Sequence, residues 1–167
     1  MRRRPGSRAR PDGDKSLVGF VVGDVFYAVP IVPVREIVNP GPLTMLPHLP
    51  AGVAGVADHR GEVIPIVDLR GRFGLGPSMD QSRCKWVLVL VTGRVVGLIV
   101  DQVTDVFGTG GSPLRPAPAL GPGEDARGIA GVLARDDKLF FVLDLSKLEA
   151  LAEAVPADLD SLMGVGA

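Results

Sequence analysis

The feature that most constrains this chain is an internal repeat. Displacing the sequence by 76 residues lays Ala54-Gly55-Val56 on Ala130-Gly131-Val132 and, without a gap, Asp68-Leu69 on Asp144-Leu145. Upstream, a displacement of roughly 70 places Gly23-Asp24 and residues 25–29 over Gly93-Arg94 and residues 95–99. One gap then brings Val34, Glu36 and Ile37 over Val103, Asp105 and Val106. A half of about 70 residues is marginal as a free-standing domain. The two copies are therefore expected to pack on one another.

The content of each half points to strands. Valine and isoleucine number 30 against 19 leucines, and the chain carries 22 glycines and 15 prolines, a bias toward β-branched residues and turns that argues against a helical bundle. Apolar runs 17–22 and 25–29 flank Gly23-Asp24, a pair suited to a tight hairpin with positive φ at its first position. Runs 53–59 and 62–67 meet at Arg60-Gly61, 86–91 and 95–100 at Thr92-Gly93-Arg94, and 131–134 and 139–143 at residues 135–138. Helix signals are few. Asp68 and Asp144 each stand where an N-cap would, the second leading into an apolar-periodic segment, 146–154, stopped by Pro156. The expected fold is all-β, with about five short strands and one helical turn per half, each half a small closed barrel packed on its copy. Residues 74–82 form the expected joint, and 108–127, dense in glycine and proline, an expected surface excursion.

Charge and composition exclude several functions. Residues 1–15 hold six basic side chains against Asp12 and Asp14, which leaves the rest of the chain with 12 basic and 17 acidic groups. Such a body is a poor match for nucleic-acid phosphates, and one Trp and one Tyr offer no stacking platform. The basic arm does not continue into an export signal, because the apolar run after it ends at six residues. Nor does any uncharged run reach the roughly 18 residues of a membrane span. A cytoplasmic protein without membrane insertion is expected. The lone Cys84 has no partner for a disulfide and reads as an incidental thiol. His48 and His59 lack companions at metal-ligand spacing, so no metal and no cofactor is expected. Ser112 and Ser146 lie in no nucleophile elbow, and Pro113 spoils a phosphate-loop reading of residues 108–112. Asp68 and Asp144 are explained as repeat-equivalent caps rather than a catalytic pair. Charged residues standing singly are the profile of a binding module.

Five segments, in order, give the chain a resemblance to the CheW-like coupling proteins of bacterial chemotaxis. They are residues 34–37 (VREI), 46–50 (LPHLP), 55–69 (GVADHRGEVIPIVDL), 96–103 (VGLIVDQV) and 143–148 (LDLSKL), within a match running from about Leu17 to Leu151. The resemblance implies two SH3-like five-stranded β-barrels packed together with a short C-terminal helix. It implies a flexible arm over 1–15, one domain over 16–153 and a tail over 154–167. Within the domain the halves are expected at about 24–80 and 81–153, the second completed by a strand from 16–23. It also implies a non-enzymatic scaffold, recruited to membrane receptor arrays or to a cytoplasmic receptor cluster. Its partners would be the cytoplasmic tip of chemoreceptors and the regulatory domain of a CheA-type histidine kinase.

In similar proteins a receptor helix lies in a groove between the barrels, and the matching positions are Val34, Glu36, Gly55, Arg60, Gly97 and Val103. The residue types suit the task. Glycines let a helix approach the backbone, valines supply an apolar floor, and Arg60 offers a donor fork to a carboxylate or carbonyl. Other roles compete: Arg60 as a solvated turn residue, Gly97 as a strand glycine at a twist or bulge, Val34 and Val103 as core, Glu36 as the partner of a strand neighbour. One departure stands out. The family usually has Asn-Leu where this chain has Asp58-His59, which by strand alternation should set Asp58 beside Arg60 and turn a titratable ring toward the core. Competing functions are an adaptor of the same fold outside classical chemotaxis, as in gliding motility or cell polarity, and a small β-barrel ligand binder or enzyme.

Overall fold

The computed structural model describes residues 16–78, 80–109, 113–116 and 128–155. The expected arm, most of the glycine-proline excursion and nearly all of the tail lie outside them. Ten strands run β1 (Ser16–Val22), β2 (Val25–Pro30), β3 (Val34–Val38), β4 (Val53–His59), β5 (Glu62–Asp68), β6 (Lys85–Val91), β7 (Arg94–Val100), β8 (Gln102–Gly108), β9 (Ile129–Arg135) and β10 (Lys138–Leu143). A short helix α1 (Leu69–Arg72) follows β5, and a 3-10 turn (Leu145–Leu148) leads from β10 into α2 (Glu149–Ala154).

The hairpins form where the turn chemistry asked for them. Arg60-Gly61, Thr92-Gly93 and Asp136-Asp137 all have positive φ at both turn residues, the conformation whose twist matches paired strands. The third and fourth hairpins are therefore tighter than expected: Arg94, Arg135 and Lys138 belong to the strands. Both aspartate caps are present. Asp68 Oδ1 accepts from the amide of Arg70 and Asp144 Oδ1 from that of Ser146, each at 3.0 Å.

Two five-stranded sheets result, in the orders β3-β6-β7-β5-β4 and β8-β1-β2-β10-β9. The division at 80/81 is not how they are assembled. The whole β1–β2 hairpin, not just residues 16–23, joins β8, β9 and β10, while β6–β7 crosses back to β3, β4 and β5. Each repeat thus lends its first hairpin to the sheet of the other. Parallel pairs β2–β10 and β5–β7 join the lent hairpin to its host. The physical reason lies in the sequence of the lent strands. Runs such as Trp86 to Val91 are apolar on both faces and must be covered on both, one by the central cluster between the sheets and the other by the cluster of their own sheet. The turns also fix the true displacement. Thr92-Gly93 matches Gly23-Asp24, so the shift there is 69, and no gap is needed to bring Glu36 over Asp105.

Strand alternation then sorts side chains among three clusters. Val18, Phe20 and Val22 of β1 and Val87, Val89 and Val91 of β6 meet in one central cluster between the sheets, closed at one end by Leu148 and Ala152. The intervening residues face away into a smaller cluster on each sheet: Leu17, Ala28, Phe107, Leu133, Phe140 and Val142 on one, Ala57, Ile64, Ile66, Trp86 and Leu88 on the other. Burying a large aliphatic side chain contributes about 1.5–3 kcal/mol. The central cluster is thus the main source of cohesion between the sheets.

Candidate partner-binding site

The six positions fall into three groups. Val34 lies on β3 and Val103 on β8, the edge strands of the two sheets, and both pack half-buried against the central cluster. The core alternative is met to this extent: each valine is a half-buried edge-strand residue at the margin of the central cluster, the seam between the sheets. Under the displacement of 69 they are the same position of the two repeats.

Glu36 and Arg60 form the second group. Arg60 sits in the β4–β5 turn with φ of +53°, its side chain 75% exposed, and its Nη2 donates to Glu36 Oε1 at 2.8 Å. The other carboxylate oxygen, Oε2, lies 2.8 Å from His59 Nε2. The expectation for Asp58-His59 is corrected in part. Arg60 has left the strand, so alternation does not govern it, and Asp58 caps the turn by accepting from the Gly61 amide at 2.9 Å. His59 does border the apolar cluster of its sheet, across a cavity of about 170 Å³ lined by Ala57, Ile64, Trp86 and Leu88. Its nitrogen, however, turns outward to Glu36. The carboxylate thus has partners on both oxygens, from the end of β4 and the turn after it rather than from β6, the strand with which β3 pairs.

The two glycines belong to a third group, whose constraint comes from the chain itself. A Cβ on Gly55 would stand 2.8 Å from the Thr44 carbonyl oxygen. Residues around Thr44 bridge back onto β4 there, Thr44 and Val56 exchanging backbone hydrogen bonds of 2.8 and 2.9 Å. A Cβ on Gly97 would meet Ile66 Cδ1 at 2.6 Å and Leu88 Cδ2 at 3.2 Å, inside the apolar cluster of its sheet. Gly97 is a packing glycine beneath the surface.

The sequence reading missed His59 as a partner of Glu36, and missed its counterpart. Asp105, at the position of Glu36, pairs with Arg135 at 2.8 Å, and Arg135 is 76 residues after His59. An acid and a donor recurring at repeat-equivalent places was the available signal. A larger cavity of about 560 Å³ lies between α1 and the 75–84 segment, bordered by Trp86, Ile99 and Cys84. Its charges are internally paired: Arg70 binds Asp101 at 2.5 Å and Gly76 O at 2.7 Å. Burial, with Asp101 and Asp68 nearby, pushes the Cys84 thiol up, away from the reactive thiolate. This chemistry suits protein recognition better than bond making.

Comparison with known proteins agrees with this geometry. The family model described as a CheW-like domain matches residues 16–153. A "Probable chemotaxis protein CheW" of Rhizobium etli is 34% identical over 145 residues, spanning 87% of this chain and 94% of that protein. The "Chemotaxis protein CheW" of Rhizobium meliloti is 35% identical over 137 residues, 82% of this chain and 88% of that one. The crystal structure of the scaffolding protein TtCheW from Thermoanaerobacter tengcongensis superposes with a TM-score of 0.72 at 28% identity, covering 86% of this chain and 91% of the other. From its interleaved pair of sheets, its aspartate-capped repeats and these matches, the chain belongs to the CheW-like domain family.

Proposed function

We propose that the chain is a non-enzymatic scaffold that couples the cytoplasmic tip of chemoreceptors to the regulatory domain of a CheA-type histidine kinase. The observation that supports this reading is the largely exposed Arg60, held by Glu36 of the edge strand β3, together with Val34 and Val103, half-buried on edge strands at the margin of the central cluster. A helix docked on this side of the molecule would meet apolar valines and a charged rim, the arrangement by which amphipathic helices are held in grooves. Among the described residues no helix is long and apolar enough to cross a membrane. Placement at receptor clusters then follows from the partners. An adaptor for a receptor outside classical chemotaxis would use the same face, its sequence support being the Asp58-His59 pair.

The test is a calorimetric titration of a receptor-tip fragment into the wild-type chain and Arg60→Glu. Charge reversal should weaken binding about tenfold or more, with an unchanged circular dichroism spectrum. Equal affinity in the two proteins would remove the groove from consideration.

A further inference from the structure

We infer that His59 is a specificity-determining residue of this face: by holding one oxygen of Glu36 it makes that carboxylate an internal anchor and leaves Arg60 to recognise an acidic side chain on the partner helix. The inference rests on the receptor reading above and names the chemistry of its contact.

The argument begins with donors and acceptors. An ionised carboxylate is acceptor-only, and both oxygens of Glu36 already have a partner at 2.8 Å, His59 Nε2 and Arg60 Nη2. Each oxygen of Glu36 is thus engaged within the chain, which reduces what the carboxylate offers a basic partner. Arg60 has five N–H groups in a planar fork, and with its side chain largely in solvent most of them point to whatever docks. The group that complements such a fork is a carboxylate. With an apolar residue at position 59, one oxygen of Glu36 would be free, and the same face would accept a donor.

The second repeat supplies an independent observation. There Asp105 is held at 2.8 Å by Arg135, which also lies over the Phe107 ring at 4.2 Å. The fold thus brings a donor from the last position of the fourth strand of each repeat onto the acid of the third. In the second repeat that donor is a guanidinium, and in the first it is an imidazole. The charged groups around the ring are Glu36 on β3, Arg60 in the turn, Asp58 beside it on β4 and Glu62, its cross-strand neighbour on β5. Strand β6 contributes Trp86 and Leu88 to the cavity that the ring borders.

The experiment uses the full chain and two probes: a soluble chemoreceptor-tip hairpin, and the same hairpin with its tip glutamates changed to glutamine. The wild-type chain should prefer the glutamate form by about two- to fivefold. His59→Gln, whose amide can still donate to Glu36, should keep the preference. His59→Leu should lose it, and the carboxylate carbon of Glu36 should shift in the NMR spectrum of the free His59→Leu protein but much less in His59→Gln. Binding whose charge preference is untouched by His59→Leu overturns the role of His59 alone. A wild-type chain that binds neither hairpin overturns the receptor reading itself.

Discussion

The carbonyl oxygen of Thr44 stands 2.8 Å from where a Cβ on Gly55 would be, and the repeat-equivalent Gly131 has the carbonyl of Arg115 at 2.6 Å. Both glycines admit the chain's own crossing segment. Because the obstacle is backbone in a two-way bridge, it cannot swing aside. Gly55→Ala and Gly131→Ala should each destabilise the fold by about 1–3 kcal/mol, the cost of overpacking a tight site. Urea denaturation reads this directly, and an unchanged midpoint would show that the crossing segments are loosely held.

Gly97 makes a contrasting case. Its nearest obstacle is the far end of the Ile66 side chain, which can rotate, and alanine suits a strand better than glycine. Gly97→Ala should therefore cost less than Gly55→Ala, about 1 kcal/mol or below. The reverse order, measured under the same conditions, would contradict the packing described for the two positions.

Receptor and kinase binding should be separable. A coupler holds both partners at once, so their surfaces cannot coincide. Val34→Glu places a charge on the seam while leaving the outer ends of both sheets untouched. In a protein still folded by circular dichroism, affinity for a receptor-tip fragment should fall about tenfold or more, and affinity for a kinase regulatory domain should stay. Parallel loss of both would mean a shared site.

Arg94 bonds through Nη1 to the carbonyls of Ala152 and Val155. A guanidinium there adds a donor to the carbonyls at the end of α2, where the backbone supplies only the Val155 amide to Ala152. Burial lowers the pKa of this group from its usual value, against the opposing pull of Glu62. Arg94→Ala should loosen α2 first. Hydrogen exchange at residues 149–155 should accelerate well before exchange in β6 and β7, and uniform acceleration across the sheet would count against a local latch.

The Cys84 thiol is raised by burial, so the folded chain keeps its proton at pH values where the unfolded chain begins to lose it. An acid whose pKa is higher in the native state stabilises that state less once the unfolded form ionises, and stability falls as pH rises through about 9. Cys84→Ala should flatten this alkaline decline. Identical pH profiles for wild type and variant, followed by urea midpoint between pH 7 and 10, would show that the thiol is as solvated as in the free chain.

Much of this was legible in the residues, and what was hidden has a physical reason. Hairpins announce themselves locally, through turn residues such as Arg60-Gly61 and Thr92-Gly93, and so do the caps at Asp68 and Asp144. Pairing between distant strands does not. Nothing near Phe26 or Phe140 says that they will lie side by side in a parallel pair, because that register follows from which apolar faces remain to be covered. The candidate positions Val34, Glu36, Arg60 and Val103 came singly from the resemblance, while the contact between Glu36 and Arg60 and the constraint that Ile66 sets on Gly97 are both made between segments distant in sequence. His59 was noticed as a departure, but alternation alone could not say that its nitrogen would reach a carboxylate on another strand.

The exchange of hairpins also fixes how this molecule can move. One sheet is stitched from both ends of the chain, with β1 and β2 inserted between strands that follow them by some eighty residues or more, and the other sheet is the continuous stretch β3 to β7. Neither sequence repeat can be melted away while the other survives, since losing one removes the middle of a sheet that the other helps to build. The molecule should therefore respond to load as a single stiff strut: a push delivered at the seam arrives at the far ends as a displacement of the whole body, with no slack joint between the repeats to absorb it.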